Sequence, residues 1–242
     1  DTLRLWDRQV AALRDRVRCV RFTLPGFDPA GPRVAPGFDA LAALAGRVAD
    51  AVSPERPVRL LVHDWGCAVG YAFASARPGR VERIAGVDVG DAGSAAHRRS
   101  LGVGAFVGIA GYQLWLAAAW AAGGPIGDAM TRRLARWLRA PADPATLRAS
   151  IDWPYAHVWT GRGGAALKRA ATFEPACPML FVYGRRKPFM FHSPDWQARL
   201  EASPEHRVVA LRTGHWAMRD DPAGFDAVVL PWLAEDRPPT AR

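Results

Sequence analysis

Lysine is almost missing from this chain, cysteine is sparse, and the histidines are few and scattered. Lys168 and Lys187 are the only lysines, so the formal charge of +9 over 242 residues is carried almost wholly by arginine. The arginines are spread through expected helices and loops with no basic arm or aromatic-interleaved patch, which argues against a nucleic-acid partner. Cys19, Cys67 and Cys177 are odd in number, widely spaced and each beside apolar sequence. They read as reduced core residues, which excludes a disulfide framework. None of the 6 histidines has a second ligand at metal-site spacing with a matching partner elsewhere, so no metal or other cofactor is expected. No charged-then-apolar leader pattern is visible, and a cytoplasmic location is the default expectation.

One long hydrophobic run is present. Residues 101–126 carry no charge and are long enough to span a bilayer. Gly102, Gly104, Gly108 and Gly111 interrupt the run and Gln113 breaks its apolarity. A buried pair of lid helices is therefore expected, with no stable membrane span. With half its residues hydrophobic, the chain can form one substantial core with an inserted subdomain.

The richest local signal is Val62-His63-Asp64-Trp65-Gly66, between the mostly apolar run 58–62 and the small-residue stretch 67–76. A strand that turns sharply into a helix lifts its middle residue above the sheet, with the helix N-terminus beneath it. Aspartate in that position has two readings. It can cap the helix, which is the commoner use of Asp before a helix. It can also be a nucleophile: a carboxylate attacking alkyl carbon forms an ester that water can cleave, where a serine would leave a stable ether.

Around this elbow the pattern predicts a helix at 3–14, a strand at 17–23, a Pro/Gly-rich loop through 36 and a helix at 38–52. Strand 58–62, helix 66–76 and strand 84–89 follow. Residues 93–173 break the rhythm, being helical and rich in Ala, Trp and Gly. The alternation resumes with strand 179–183, helix 194–202, strand 207–211 and helix 221–233. Strands alternating with helices predict an α/β fold with a mostly parallel sheet covered on both faces. The proline-rich tail after Asp236 is expected to fray.

With the elbow, the insertion and Gly214-His215-Trp216 after the last strand, the chain resembles the epoxide hydrolase and haloalkane dehalogenase branch of the α/β-hydrolase fold. The resemblance implies an α/β-hydrolase core at 1–92 and 174–242, N-terminally incomplete, and a helical cap at 93–173. It implies Asp64 as nucleophile and His215 as activator of water. The branch usually places its third acid in a Gly-x-x-Asp turn, but Gly184-Arg185-Arg186-Lys187 puts lysine there. Asp88, at the end of the preceding strand, is the alternative position used by some dehalogenases, and it is preferred over Asp91 and Asp195.

The resemblance further implies that the Trp65 backbone N–H serves as an oxyanion donor and its indole as a halide donor. Tyr155 and Tyr112 are the candidate cap proton donors or substrate contacts, Tyr155 the better. The expected partners are a small apolar substrate and water. Epoxide opening is the leading activity and haloalkane dehalogenation the second. A degenerate hydrolase acting as a binding or scaffold domain is the reading from another class. The branch's first three strands and its His-Gly-x-Pro loop have no counterpart before Trp6, which reads as a fragment or processed product. A further strand would lie between 17–23 and 58–62. The stretch 187–193 is distinctive, and His192 within it is read as a loop histidine satisfied by its neighbours.

Overall fold

A computed structural model describes residues 2–235. The tail expected to fray lies outside them. Strands β1 (Val58–His63), β2 (Val81–Val87), β3 (Met179–Gly184) and β4 (Arg207–Leu211) form one wholly parallel sheet in the order β1-β2-β3-β4. Parallel neighbours need crossovers, which are supplied by helices among α1 (Asp7–Leu13), α2 (Phe38–Val52), α3 (Trp65–Ala76), α4 (Ala95–Ser100), α5 (Val103–Ala122), α6 (Gly124–Trp137), α7 (Trp153–Trp159), α8 (Gly164–Ala171), α9 (Pro194–Glu201), α10 (Ala217–Asp220) and α11 (Pro222–Ala234).

Successive strand residues point to opposite faces. Ile84, Met179 and Phe181 enter one core with Phe38, Leu41, Phe73 and Trp196, while Ala85, Val87, Leu180 and Val182 enter the other with Leu13, Phe225 and Val229. The strands therefore read as nearly continuous apolar runs, as a sheet covered on both faces requires. Asp226 of α11 fixes α1 to this layer by accepting from Gln9 Nε2 at 2.7 Å and Arg8 Nε at 2.5 Å.

Three expectations about the extent of single elements are corrected. The helix at 3–14 is a 3-10 turn, Leu3–Trp6, running into the shorter α1. The strand at 84–89 starts at Val81 and stops at Val87, because Asp88 takes φ 68° and leaves the strand conformation. Residues 17–23 have a strand's alternation but form no strand. A ladder needs a neighbour about 4.8 Å away. This segment instead faces β1 across a groove of about 850 Å³, lined by residues 16–24 on one side and 57–63 on the other. The groove occupies the space where a further strand was expected.

Between β2 and β3 run α4 to α8 with 3-10 turns at Pro144–Thr146 and Ala149–Asp152. Helices α5 and α6 form a hairpin through Gly123 and Gly124, both at positive φ. The two helices approach so closely that a Cβ on Gly127 would lie 2.3 Å from the Ala119 carbonyl oxygen. Helix α7 packs on α5, whereas α8 packs on α2 and α3 beside the sheet. Asp39 of α2 holds the start of α8 by accepting from Ala165 N at 3.1 Å and Ala166 N at 2.9 Å. The run expected to be buried is not: only 11% of the apolar stretch of α5 is buried. One side of α5 rests on α6 and α7, and the opposite side is uncovered.

Candidate active site

The chain passes from β1 to α3 through a single residue. Asp64 adopts φ 53°, ψ −126°, a backbone region that side chains normally avoid and that costs about 1–3 kcal/mol. Its carboxylate makes no capping bond to α3, so the capping reading of this residue fails. The carboxylate instead faces His215, with Oδ1 3.9 Å from Nε2.

His215 sits in the loop after β4, and both of its polar surroundings are fixed. Its Nδ1 donates to Asp88 Oδ2 at 2.5 Å, and its carbonyl accepts from His63 Nε2 at 3.1 Å. The His63 and His215 rings lie 4.5 Å apart. Burial pushes His63 down to about 3, and the charge of His215 adds to that, so His63 is a neutral donor. Burial would also lower His215, but the Asp64 and Asp88 carboxylates outweigh it and hold the imidazole at about 9. For Asp64, burial works upward and the His215 and His63 rings downward. The second effect wins, at about 2.

Asp88 is fully buried and its second oxygen is also occupied. Oδ1 accepts from Gly184 N at 3.0 Å and from the Lys187 ammonium, itself buried. Burial opposes ionisation of Asp88, but His215 and Lys187 together hold its pKa below the ordinary value. The lysine in the Gly184-x-x-Lys187 turn thus pairs with the acid that stands at the end of β2. Asp91 is engaged elsewhere, accepting from Ser193 N at 2.6 Å, Ser193 Oγ at 2.7 Å and Ser94 Oγ at 2.6 Å. Asp195 is exposed in the first turn of α9. The geometry brings Asp64, His215 and Asp88 together and leaves both alternatives outside.

An aromatic wall stands over Asp64. The Trp65 ring meets Tyr155 edge-on at 5.3 Å, Tyr155 meets Tyr112 at 5.9 Å, and Tyr112 stacks on Phe189 at 6.2 Å. Burial and the Asp64 charge both push the Tyr155 hydroxyl well above its ordinary pKa, and burial does the same to Tyr112. The Trp65 indole Nε1 is buried with no hydrogen-bond partner among the described residues.

Sequence reading missed Lys187, Phe189 and Phe191 as site residues. Phe191 lies 5.5 Å from the His215 ring and 5.5 Å from Phe189, and the Lys187 ammonium sits 5.3 Å over its face. The available signal was the position of 187–193 directly after β3, at the carboxyl edge of the sheet where open α/β folds place their ligands. His192 of the same stretch is buried on Phe181 and Tyr183, with Nδ1 unpartnered. Among the described residues no cluster of His, Cys, Asp or Glu could hold a metal ion.

A strained acidic elbow on a parallel sheet, followed late in the chain by a histidine, is matched by one family model. The model for the alpha/beta hydrolase family spans residues 3–228. The chain belongs to that family. Its fold is similar to that of an epoxide hydrolase from Bacillus megaterium in complex with an inhibitor, at 19% identity and TM-score 0.69, covering 97% of this chain and 90% of that one. It is equally similar to a haloalkane dehalogenase loop variant from Bradyrhizobium elkanii, at 18% identity and TM-score 0.68, with coverages of 96% and 85%. Among curated protein sequences none matches it. For this α/β-hydrolase, identities so low establish the fold, and the chemistry has to be argued from the site.

Proposed function

We propose that the chain is a hydrolase that opens an apolar epoxide to a diol through an alkyl ester on Asp64, hydrolysed by water that His215 activates. The observation that carries this reading is the line Asp64–His215–Asp88, with the carboxylate 3.9 Å from one imidazole nitrogen and the other nitrogen bonded to a buried acid. Asp64 is ionised near neutral pH and stands at the end of a strand, its carboxylate free of any capping bond to α3. It attacks carbon, the C–O bond of the epoxide breaks, and the resulting alkoxide needs a proton. Tyr155 is the donor and Tyr112 the second candidate, because hydroxyls with raised pKa values remain protonated at neutral pH.

In the second step His215 takes a proton from water and the hydroxide adds to the ester carbonyl carbon. The tetrahedral intermediate collapses with cleavage of the acyl C–O bond, and the imidazolium returns its proton to the departing alkoxide, which leaves the diol and the Asp64 carboxylate. Asp88 fixes the imidazole tautomer and stabilises the imidazolium. The Trp65 backbone N–H would hold the tetrahedral oxyanion, and each such donor is worth about 3 kcal/mol of barrier. Within residues 93–173 the cap is formed by the helices before α8, and its Tyr112 and Tyr155 give the substrate space its apolar, aromatic character.

Dehalogenation is the second reading, favoured by the unpartnered Trp65 indole N–H, a ready donor to a departing halide. One experiment separates the two. The His215→Gln variant is incubated with an aryl glycidyl ether and, separately, with a primary haloalkane, and the Asp64 peptide is weighed by mass spectrometry. An adduct with the epoxide alone supports the first reading and an adduct with the haloalkane alone supports the second. No adduct with any substrate of either class removes Asp64 as nucleophile and leaves the binding-domain reading.

A further inference from the structure

We propose that the α5–α6 hairpin docks the protein on an anionic lipid surface. Helix α5 has no charged residue, and its uncovered side presents Val103, Phe106, Val107, Leu114 and Trp115 to solvent, with Val103 83% and Val107 61% exposed. The adjoining helix continues the surface with Ile126 and Trp137, 71% and 75% exposed. So many exposed large apolar side chains on one helix hairpin mark an interaction site.

The charge around the face selects the partner. Between residues 93 and 142 the chain has six arginines, Arg98, Arg99, Arg132, Arg133, Arg136 and Arg139, against the single acid Asp128. Arg132 is paired with Asp128, while the other five are exposed. Arg98 and Arg99 precede the Val103 end of α5. Arg133 and Arg136 share the exposed stripe of α6 with Ile126, Ala129 and Trp137, at three- and four-residue spacing. At the far end Arg33 stacks on Trp120, 3.9 Å from the ring centroid.

Exposed apolar side chains flanked by arginines before α5 and interleaved with them on α6 suit the boundary between acyl chains and anionic headgroups. Arginine stems lie along the apolar layer there while the guanidinium groups reach phosphate. A protein partner would need a matching acidic rim around an apolar centre, whereas an anionic bilayer supplies both everywhere on its surface. A spanning helix is not required, because the other side of α5 is packed on α6 and α7. The inference is independent of the chemistry proposed for Asp64.

The test is flotation of the full chain with vesicles of phosphatidylcholine alone and of phosphatidylcholine with phosphatidylglycerol, together with tryptophan emission. Flotation with the anionic vesicles about tenfold above the neutral ones, a blue shift, and loss of both in high salt are expected. Val103→Asp with Val107→Asp should abolish flotation, and Arg133→Glu with Arg136→Glu should remove the anionic preference. All four positions are exposed, so the fold is retained, which circular dichroism checks. Equal binding to neutral vesicles overturns the charge argument. Failure to bind either vesicle overturns the proposal. If Val107→Asp then dissociates a dimer seen by light scattering, the face belongs to a second copy of the chain.

Discussion

Replacing Asp64 with asparagine should lower the pKa of His215, and the size of the fall follows from one distance. Asp64→Asn keeps the shape of the side chain and removes its charge, as alkylation of the carboxylate would. With Oδ1 3.9 Å from Nε2, two unit charges at an effective dielectric constant of about 20 attract by about 4 kcal/mol. The Asp64 side chain is 38% exposed, and solvent screening reduces that to roughly 2 kcal/mol, equivalent to about 1.5 pH units. His215, held at about 9 in the free protein, should then titrate near about 7.5. The assay is an NMR titration of the His215 ring proton, assigned by its absence from the spectrum of His215→Gln. A value unchanged or raised would refute the reasoning, because it would mean that Asp88 alone sets the imidazole. The consequence for the proposed cycle is temporal. The base is masked as imidazolium while Asp64 is ionised, and it is released when the ester forms.

Lys187→Met should raise the His215 pKa in the same titration, since a positive charge beside Asp88 is removed, and should cost about 3 kcal/mol in urea denaturation by breaking a buried ion pair. Asp152 offers a stability prediction. Its Oδ2 lies 2.5 Å from Thr131 Oγ1, which also bonds the Gly127 carbonyl at 3.0 Å with its one proton. A protonated Asp152 satisfies both bonds, and burial, opposed in part by Thr131, raises its pKa to about 7. The unfolded carboxyl ionises near about 3.9, so stability is full below that pH and falls by up to about 4 kcal/mol as pH rises to about 7. Asp152→Asn should flatten this dependence and be the more stable form at pH of about 8, measured by denaturant titration at several pH values. Gly184→Ala would place a Cβ 1.8 Å from the Gly214 carbonyl oxygen. It should destabilise by about 2 kcal/mol or more and displace the loop that carries His215, read by thermal melting and by loss of the high His215 pKa.

The elbow was legible because its determinants are local: an apolar strand, a turn residue and a helix of small side chains. Asp88 was legible from its place at a strand end once Gly184-x-x-Lys187 offered no acid. That Lys187 would be bonded to Asp88 was not, since the partners are far apart in sequence and only the pairing of β2 with β3 brings them together. Residues 17–23 misled because alternation reports two faces, whereas a strand also needs a neighbour to complete its ladder. The exposure of α5 was equally hidden. A helix that is apolar all round has no polar side to reveal which direction is solvent, and its composition is that of a buried element.

The groove along β1 ends against Asp64, Trp65 and Gly66, on a different flank of the carboxylate from Tyr112 and Tyr155. The site therefore meets an open groove on one flank and aromatic rings on the other. A carboxylate that keeps part of its hydration shell must shed that water before it can reach carbon, and this adds to the barrier of alkylation. Whatever fills the groove would dry the nucleophile, so the occupant would govern the rate of the first bond without touching the molecule being attacked.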